Sequence, residues 1–152
     1  MGARVIGIGQ QAAGDDGVGI AVVRHLREHG GLNGAELVEA AEPSALIPWL
    51  EGADSVVLVD AVLGGGEPGD VLRLTPESLA GGGVQPLSTH GMGVAQAVEL
   101  ARTLAPDSTA RRIWIVGVCI ARPERYSRAL SAEVERAVLR AAALVVDLLH
   151  GE

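Results

Sequence analysis

The chain has 152 residues, 48% of them apolar, and sets 12 basic against 19 acidic residues for a formal net charge of −7. Its length gives room for one domain with a sizeable core, and its composition is that of a globular protein rather than a disordered or fibrous one. The charge balance excludes a surface built to track phosphates. There is no lysine, and the arginines are spread singly except at Arg111-Arg112, so no nucleic-acid partner is expected.

Residues 4–8 form a short, continuous, β-branched run that predicts a strand buried on both faces. A helix is expected over 16–29, where Val18, Val22, Val23 and Leu26 share one face and Gly30-Gly31 provides a stop. Residues 36–39 predict a weaker, partly polar strand at a sheet edge, and a short helix is expected over 44–50 despite Pro48. A second central strand covers 55–60, with Asp60 at its end. Gly64-Gly65-Gly66 and Gly81-Gly82-Gly83 read as surface turns flanking a further edge strand at 71–74. The next helix spans 91–104, carrying Val94, Ala97, Val98 and Ala101 and ending before Pro106. Residues 113–118 are the third central strand, and a last helix covers 131–149, with Ser131 as N-cap and Glu133 in its first turn. Strands alternating with helices imply a mostly parallel sheet covered on both faces. The expectation is an α/β fold, with residues 1–152 as a single three-layer α/β/α domain.

Cys119 is the single cysteine, so an internal disulfide is impossible and the predicted central strand makes it a buried small hydrophobe. The first ten residues carry no secretory pattern, and the longest apolar run, 113–121, is far short of the ~20 residues a membrane span needs. A cytoplasmic location without membrane association is expected.

In an open parallel sheet, ligands bind beyond the carboxyl ends of the strands. Asp15 and Asp16 follow the first strand, Asp60 ends the 55–60 strand, and His90 opens the 91–104 helix. Two carboxylates and one imidazole from three segments can therefore meet at one edge, a donor set suited to a divalent ion such as nickel or zinc. Asp16 alone could merely cap its helix. Asp60 is harder to explain structurally, because a carboxylate at the end of a buried apolar strand is costly unless something binds it. His25, His29 and His150 read as surface residues. A rival motif is Gly7-x-Gly9-x-x-Ala12, which fits a dinucleotide-binding loop, although the aspartates ahead of the helix would repel a phosphate. The chain has no Gly-x-Ser-x-Gly elbow, no His-Glu-x-x-His and no Walker motif.

Gly7-x-Gly9, Asp15-Asp16-Gly17-Val18-Gly19, Val59-Asp60-Ala61, Ser88-Thr89-His90 and Ile115-Val116-Gly117-Val118 together resemble the NiFe-hydrogenase maturation proteases over nearly the whole chain. The resemblance implies their three-layer fold, which is also similar to a bacterial spore-germination protease. It further implies an endopeptidase, aspartic-type or metal-assisted, that removes a short C-terminal peptide from the hydrogenase large-subunit precursor after nickel insertion. Carried over by position, the acidic residues that contact nickel fall on Asp16 and Asp60 and the imidazole on His90. Asp16 or Asp60 is then the catalytic carboxylate, and the nickel is that of the precursor rather than a permanently bound ion. The chain departs from the family at Gln10, where Asn is common, and at Ala41-Glu42-Pro43-Ser44, where many members have Asp-Gly-Gly-Thr. Glu42, Pro43 and Ser44 are accordingly the expected substrate contacts, and the chain is expected to act as a monomer. Two other readings stand beside this one: a non-catalytic, nickel-dependent docking module, and a nucleotide-binding domain using the Gly7-x-Gly9 loop.

Overall fold

The computed structural model describes residues 2–10, 14–30, 32, 34–81, 83–86, 93–121 and 129–151. In chain order the elements are β1 (Ala3–Ile8), α1 (Val18–His29), β2 (Glu36–Ala40), β3 (Ser55–Leu63), β4 (Val71–Leu74), α2 (Pro76–Ala80), β5 (Gln85–Pro86), α3 (Val94–Leu104), β6 (Arg112–Cys119) and α4 (Ala132–His150). Two 3-10 segments, Gly14–Gly17 and Pro43–Leu50, precede α1 and β3.

The sheet runs β2-β1-β3-β6-β4, with β5 paired to the end of β3. The pairings of β1 with β2, β1 with β3 and β3 with β6 are parallel, while those of β4 and β5 are antiparallel. The mostly parallel sheet and the edge positions of β2 and β4 are therefore as the sequence predicts. Alternation along β3 divides the core. Val57, Val59 and Ala61 face α1 and α4, packing with Val22, Val23, Ala141 and Val145. Val56 and Leu58 face the other way, against Leu46, Val94, Ala97 and Val98. Helices thus cover both faces, giving the three layers.

Three elements differ from expectation by more than one residue or in helix type. β3 continues to Leu63 rather than ending at Asp60, because Val62 pairs with Cys119 of β6 and both Val62 and Leu63 pair with β5. The helix expected from Asp16 starts at Val18, since Gly14–Gly17 winds as a tight 3-10 turn that sends its two aspartates in different directions. Residues 43–50 also wind as a 3-10 segment, where Pro48 removes a donor that an α-helical ladder would use. The expected start of α3 at Gly91 lies outside the described residues.

Arg4 ties this framework together. Its guanidinium donates to the carbonyls of Trp49 and Glu51 and to Glu36 Oε1, and it lies 5.4 Å from the centre of the Trp49 ring. Its side chain is only 12% exposed, and truncation leaves the part-buried Glu51 carbonyl without its donor. Arg4→Ala is expected to destabilise the chain by about 1–3 kcal/mol, with Arg4→Lys recovering part of that loss, as read by urea denaturation. A loss below about 0.5 kcal/mol would mean that water replaces the guanidinium without penalty.

Candidate active site

β1 stops at Ile8 while its neighbour β3 runs on, and Asp60 sits on β3 just past Val59, which pairs with Gly7. Asp60 shares the α3-facing side of the sheet with Val56 and Leu58 by strand alternation. It is 1% exposed, and neither carboxylate oxygen has a hydrogen-bond partner among the described residues. Burial pushes its proton affinity well above the usual carboxylate range, and the negative Asp16 nearby pushes in the same direction. The Ala61 amide favours the charged form, but it does not meet hydrogen-bond geometry and offsets little.

Asp16 reaches this point from the 3-10 turn. Its Oδ2 accepts from the Gln10 amide at 3.0 Å, and its Oδ1 is buried and unpaired among the described residues. Burial raises its proton affinity too, with the Gln10 amide opposing. Asp16 is not spent on capping, because the residue at the N-cap of α1 is Gly17 and no side chain bonds there. Asp15, its neighbour in sequence, points elsewhere: Oδ1 accepts from the Ser131 amide at 2.7 Å and Oδ2 from the Ser131 hydroxyl at 2.9 Å.

The Gly7-x-Gly9 motif serves this geometry. Gly9 has φ of +145°, and a Cβ there would lie 2.0 Å from the Asp16 carbonyl oxygen. A Cβ on Gly7 would lie 2.3 Å from the Gly19 carbonyl oxygen. The space beside both glycines is therefore filled by the protein's own backbone, and α1 begins nine residues beyond Gly9, at Val18. That is a correction to the nucleotide reading of Gly7 and Gly9, since a pyrophosphate would need the same space and an adjacent helix N-terminus. Ala12 lies outside the described residues.

His90 also lies outside the described residues. Of its described neighbours in sequence, Pro86 pairs with Val62, two residues past Asp60, and Gly93 opens α3 on the Asp60 face of the sheet. Beyond β2, Glu42 and Ser44 are exposed, with the Ser44 hydroxyl donating to Glu42 Oε1 at 3.2 Å, while Pro43 is buried. The Gln10 side chain donates to the Ala41 carbonyl at 3.3 Å, which links this loop to the one carrying Asp16. The bond from Gln10 to Asp16 left no trace in residue type, since it comes from the backbone.

Chemistry elsewhere is thin. Among the described residues no group of three His, Cys, Asp or Glu side chains is placed to hold a metal ion. Cys119 is buried beside the Gly64 carbonyl, and burial pushes its thiol up, which disfavours a nucleophilic thiolate. His25 and His29 stack on each other on α1, with ring centres 4.2 Å apart. A concavity of about 700 Å³ between α1 and α4, lined by Ala21, His25, Leu130 and Leu139, is on the opposite face of the sheet from Asp60. No helix among the described residues is long and apolar enough to cross a membrane.

Residues 20–148 match the family model described as hydrogenase maturation protease. The chain belongs to the hydrogenase maturation protease family. Protein FrxA of Pyrococcus furiosus is 32% identical to this family member over 138 residues, covering 90% of this chain and 97% of FrxA. In fold it is similar to the NiFe hydrogenase maturation protease HybD from Thermococcus kodakarensis, at TM-score 0.75 and 22% identity over 98% of this chain and 99% of the other. The hydrogenase maturating endopeptidase HybD from E. coli matches at TM-score 0.80 and 20% identity over 99% and 93% of the two chains. These two likenesses concern the fold, and that fold is the mostly parallel, helix-covered sheet expected for the family.

Proposed function

We infer that this chain is the endopeptidase that removes the C-terminal extension of a hydrogenase large-subunit precursor once nickel has been inserted. One observation carries the reading: three buried carboxylate oxygens of Asp16 and Asp60 have no hydrogen-bond partner among the described residues. Such oxygens destabilise a fold unless a ligand takes them, and they are donors suited to a divalent cation. Nickel here belongs to the substrate. It arrives seated in the precursor, where Asp16 and Asp60 contact it, with His90 as the proposed third group. Glu42 and Ser44, exposed beyond β2, are the proposed substrate contacts at the rim, with Pro43 shaping the loop between them.

Asp60 is the more deeply buried of the two carboxylates, at 1% against 9% exposure. One of them, Asp16 or Asp60, is the base that takes a proton from the attacking water. The proposed setting is a cytoplasmic, single-domain monomer whose partner is the precursor, with neither nucleic acid nor membrane involved. The test is incubation of the purified chain with nickel-loaded and nickel-free precursor, read by intact mass. C-terminal mass loss in the loaded sample alone is expected. Binding without mass loss would make the chain a docking module instead, and neither binding nor loss would overturn the reading.

A further inference from the structure

We propose that Asp15 is a positioning residue for Asp16: by clasping the start of α4, it holds the Gly14–Gly17 turn so that the next carboxylate faces Asp60. The proposal rests on the reading of Asp16 and Asp60 as the reacting pair. Asp16 is not held in place by its own contacts, since it has one bond, from the Gln10 amide, and an unpaired Oδ1 among the described residues. No side chain caps the turn where it runs into α1, since the N-cap residue is Gly17. The anchor is Asp15, which takes both the amide and the hydroxyl of Ser131, 116 residues away in sequence. These are charge-assisted bonds, and they sit at the positive end of a 19-residue helix. Ser131 makes no side-chain cap on its own helix, its hydroxyl being turned to Asp15.

Successive side chains in a 3-10 turn leave the axis about 120° apart. Fixing Asp15 on α4 therefore fixes the direction in which Asp16 departs. The adjacent aspartates act as one device, the first anchoring the turn from outside and the second projecting inward.

The Gln10 amide reports on this directly, because its partner is Asp16 Oδ2. In Asp15→Ala its hydrogen exchange should quicken at least five-fold under native conditions. Asp15→Asn should stay within two-fold of wild type, as its amide can accept from the Ser131 N–H and donate to the Ser131 hydroxyl. Ser131→Ala, which keeps the backbone bond, should fall between them. In single-turnover processing of nickel-loaded precursor, Asp15→Ala should slow cleavage about 10–100-fold with precursor affinity within two-fold, at a temperature where every variant is folded. Exchange at Gln10 unchanged in Asp15→Ala, with acceleration confined to the first turn of α4, would overturn the proposal, as would faster exchange with cleavage at the wild-type rate. Faster exchange at Gln10 alongside a wild-type chain that cleaves no precursor would uphold the anchoring and overturn the functional reading instead.

Discussion

Asp60→Asn should give a chain that is more stable than wild type at neutral pH and cleaves its substrate about 10²–10⁴ times more slowly. Both effects have one cause. Asp60 is buried without a hydrogen bond among the described residues, so folding raises its proton affinity well above the ordinary value of 3.8. Below that value the carboxyl is neutral in both folded and unfolded chains, and its burial costs little. As pH rises past it, the unfolded chain releases the proton while the folded chain keeps it. The folded state then binds more protons, so stability falls with pH until the folded-state value is passed. Asn carries no such charge. The variant should therefore gain about 1–3 kcal/mol at pH 7, or roughly 3–10 °C in Tm. The gap should close as pH is lowered toward 4. Thermal unfolding of both chains between pH 4 and 8 measures this. A variant less stable at pH 7, or a gap that ignores pH, would mean that Asp60 is already satisfied in the fold. A stabilised, inactive variant is what a site that holds strain for function should give.

Gly19→Ala should do the reverse, costing at least about 3 kcal/mol. A Cβ at Gly19 would lie 2.3 Å from the Val59 carbonyl oxygen and 2.7 Å from that of Ile8. Both are backbone atoms of central strands, so no side chain can swing aside to make room. Relief requires α1 to lift from β1 and β3, and the Asp16 turn lifts with it. Gly81→Ala is the control. Gly81 has φ of −73° and meets nothing closer than 3.6 Å, so alanine there should be neutral or slightly stabilising, by up to about 1 kcal/mol. Urea denaturation of the two variants compares them. A Gly19→Ala chain within about 1 kcal/mol of wild type would show that this helix–strand approach has slack.

Residue pattern alone determined much of this protein. The continuous apolar runs around Val5, Val57 and Ile115 can be buried only on both faces, and a strand buried on both faces must be central in a helix-covered sheet. The partly polar 36–39 and 71–74 runs had to be edges for the same reason. Asp60 stood out because an apolar strand has no structural use for a carboxylate.

Tertiary structure decided the rest. Asp15 and Asp16 are chemically identical neighbours, and local sequence offers no reason to separate their roles. The separation comes from Ser131, over a hundred residues away, which takes one and leaves the other to Asp60. The end of β3 was likewise invisible locally, because strand length depends on which partners continue alongside, and β5 and β6 carry β3 past Asp60 to Leu63. The Gly7-x-Gly9 motif reads equally as a phosphate loop or as packing glycines until the space beside it is known. Here that space holds the backbone of Asp16 and Gly19. Periodicity and burial are properties of a segment and can be read along the chain, whereas which group fills a space or takes a hydrogen bond is settled only when distant segments meet.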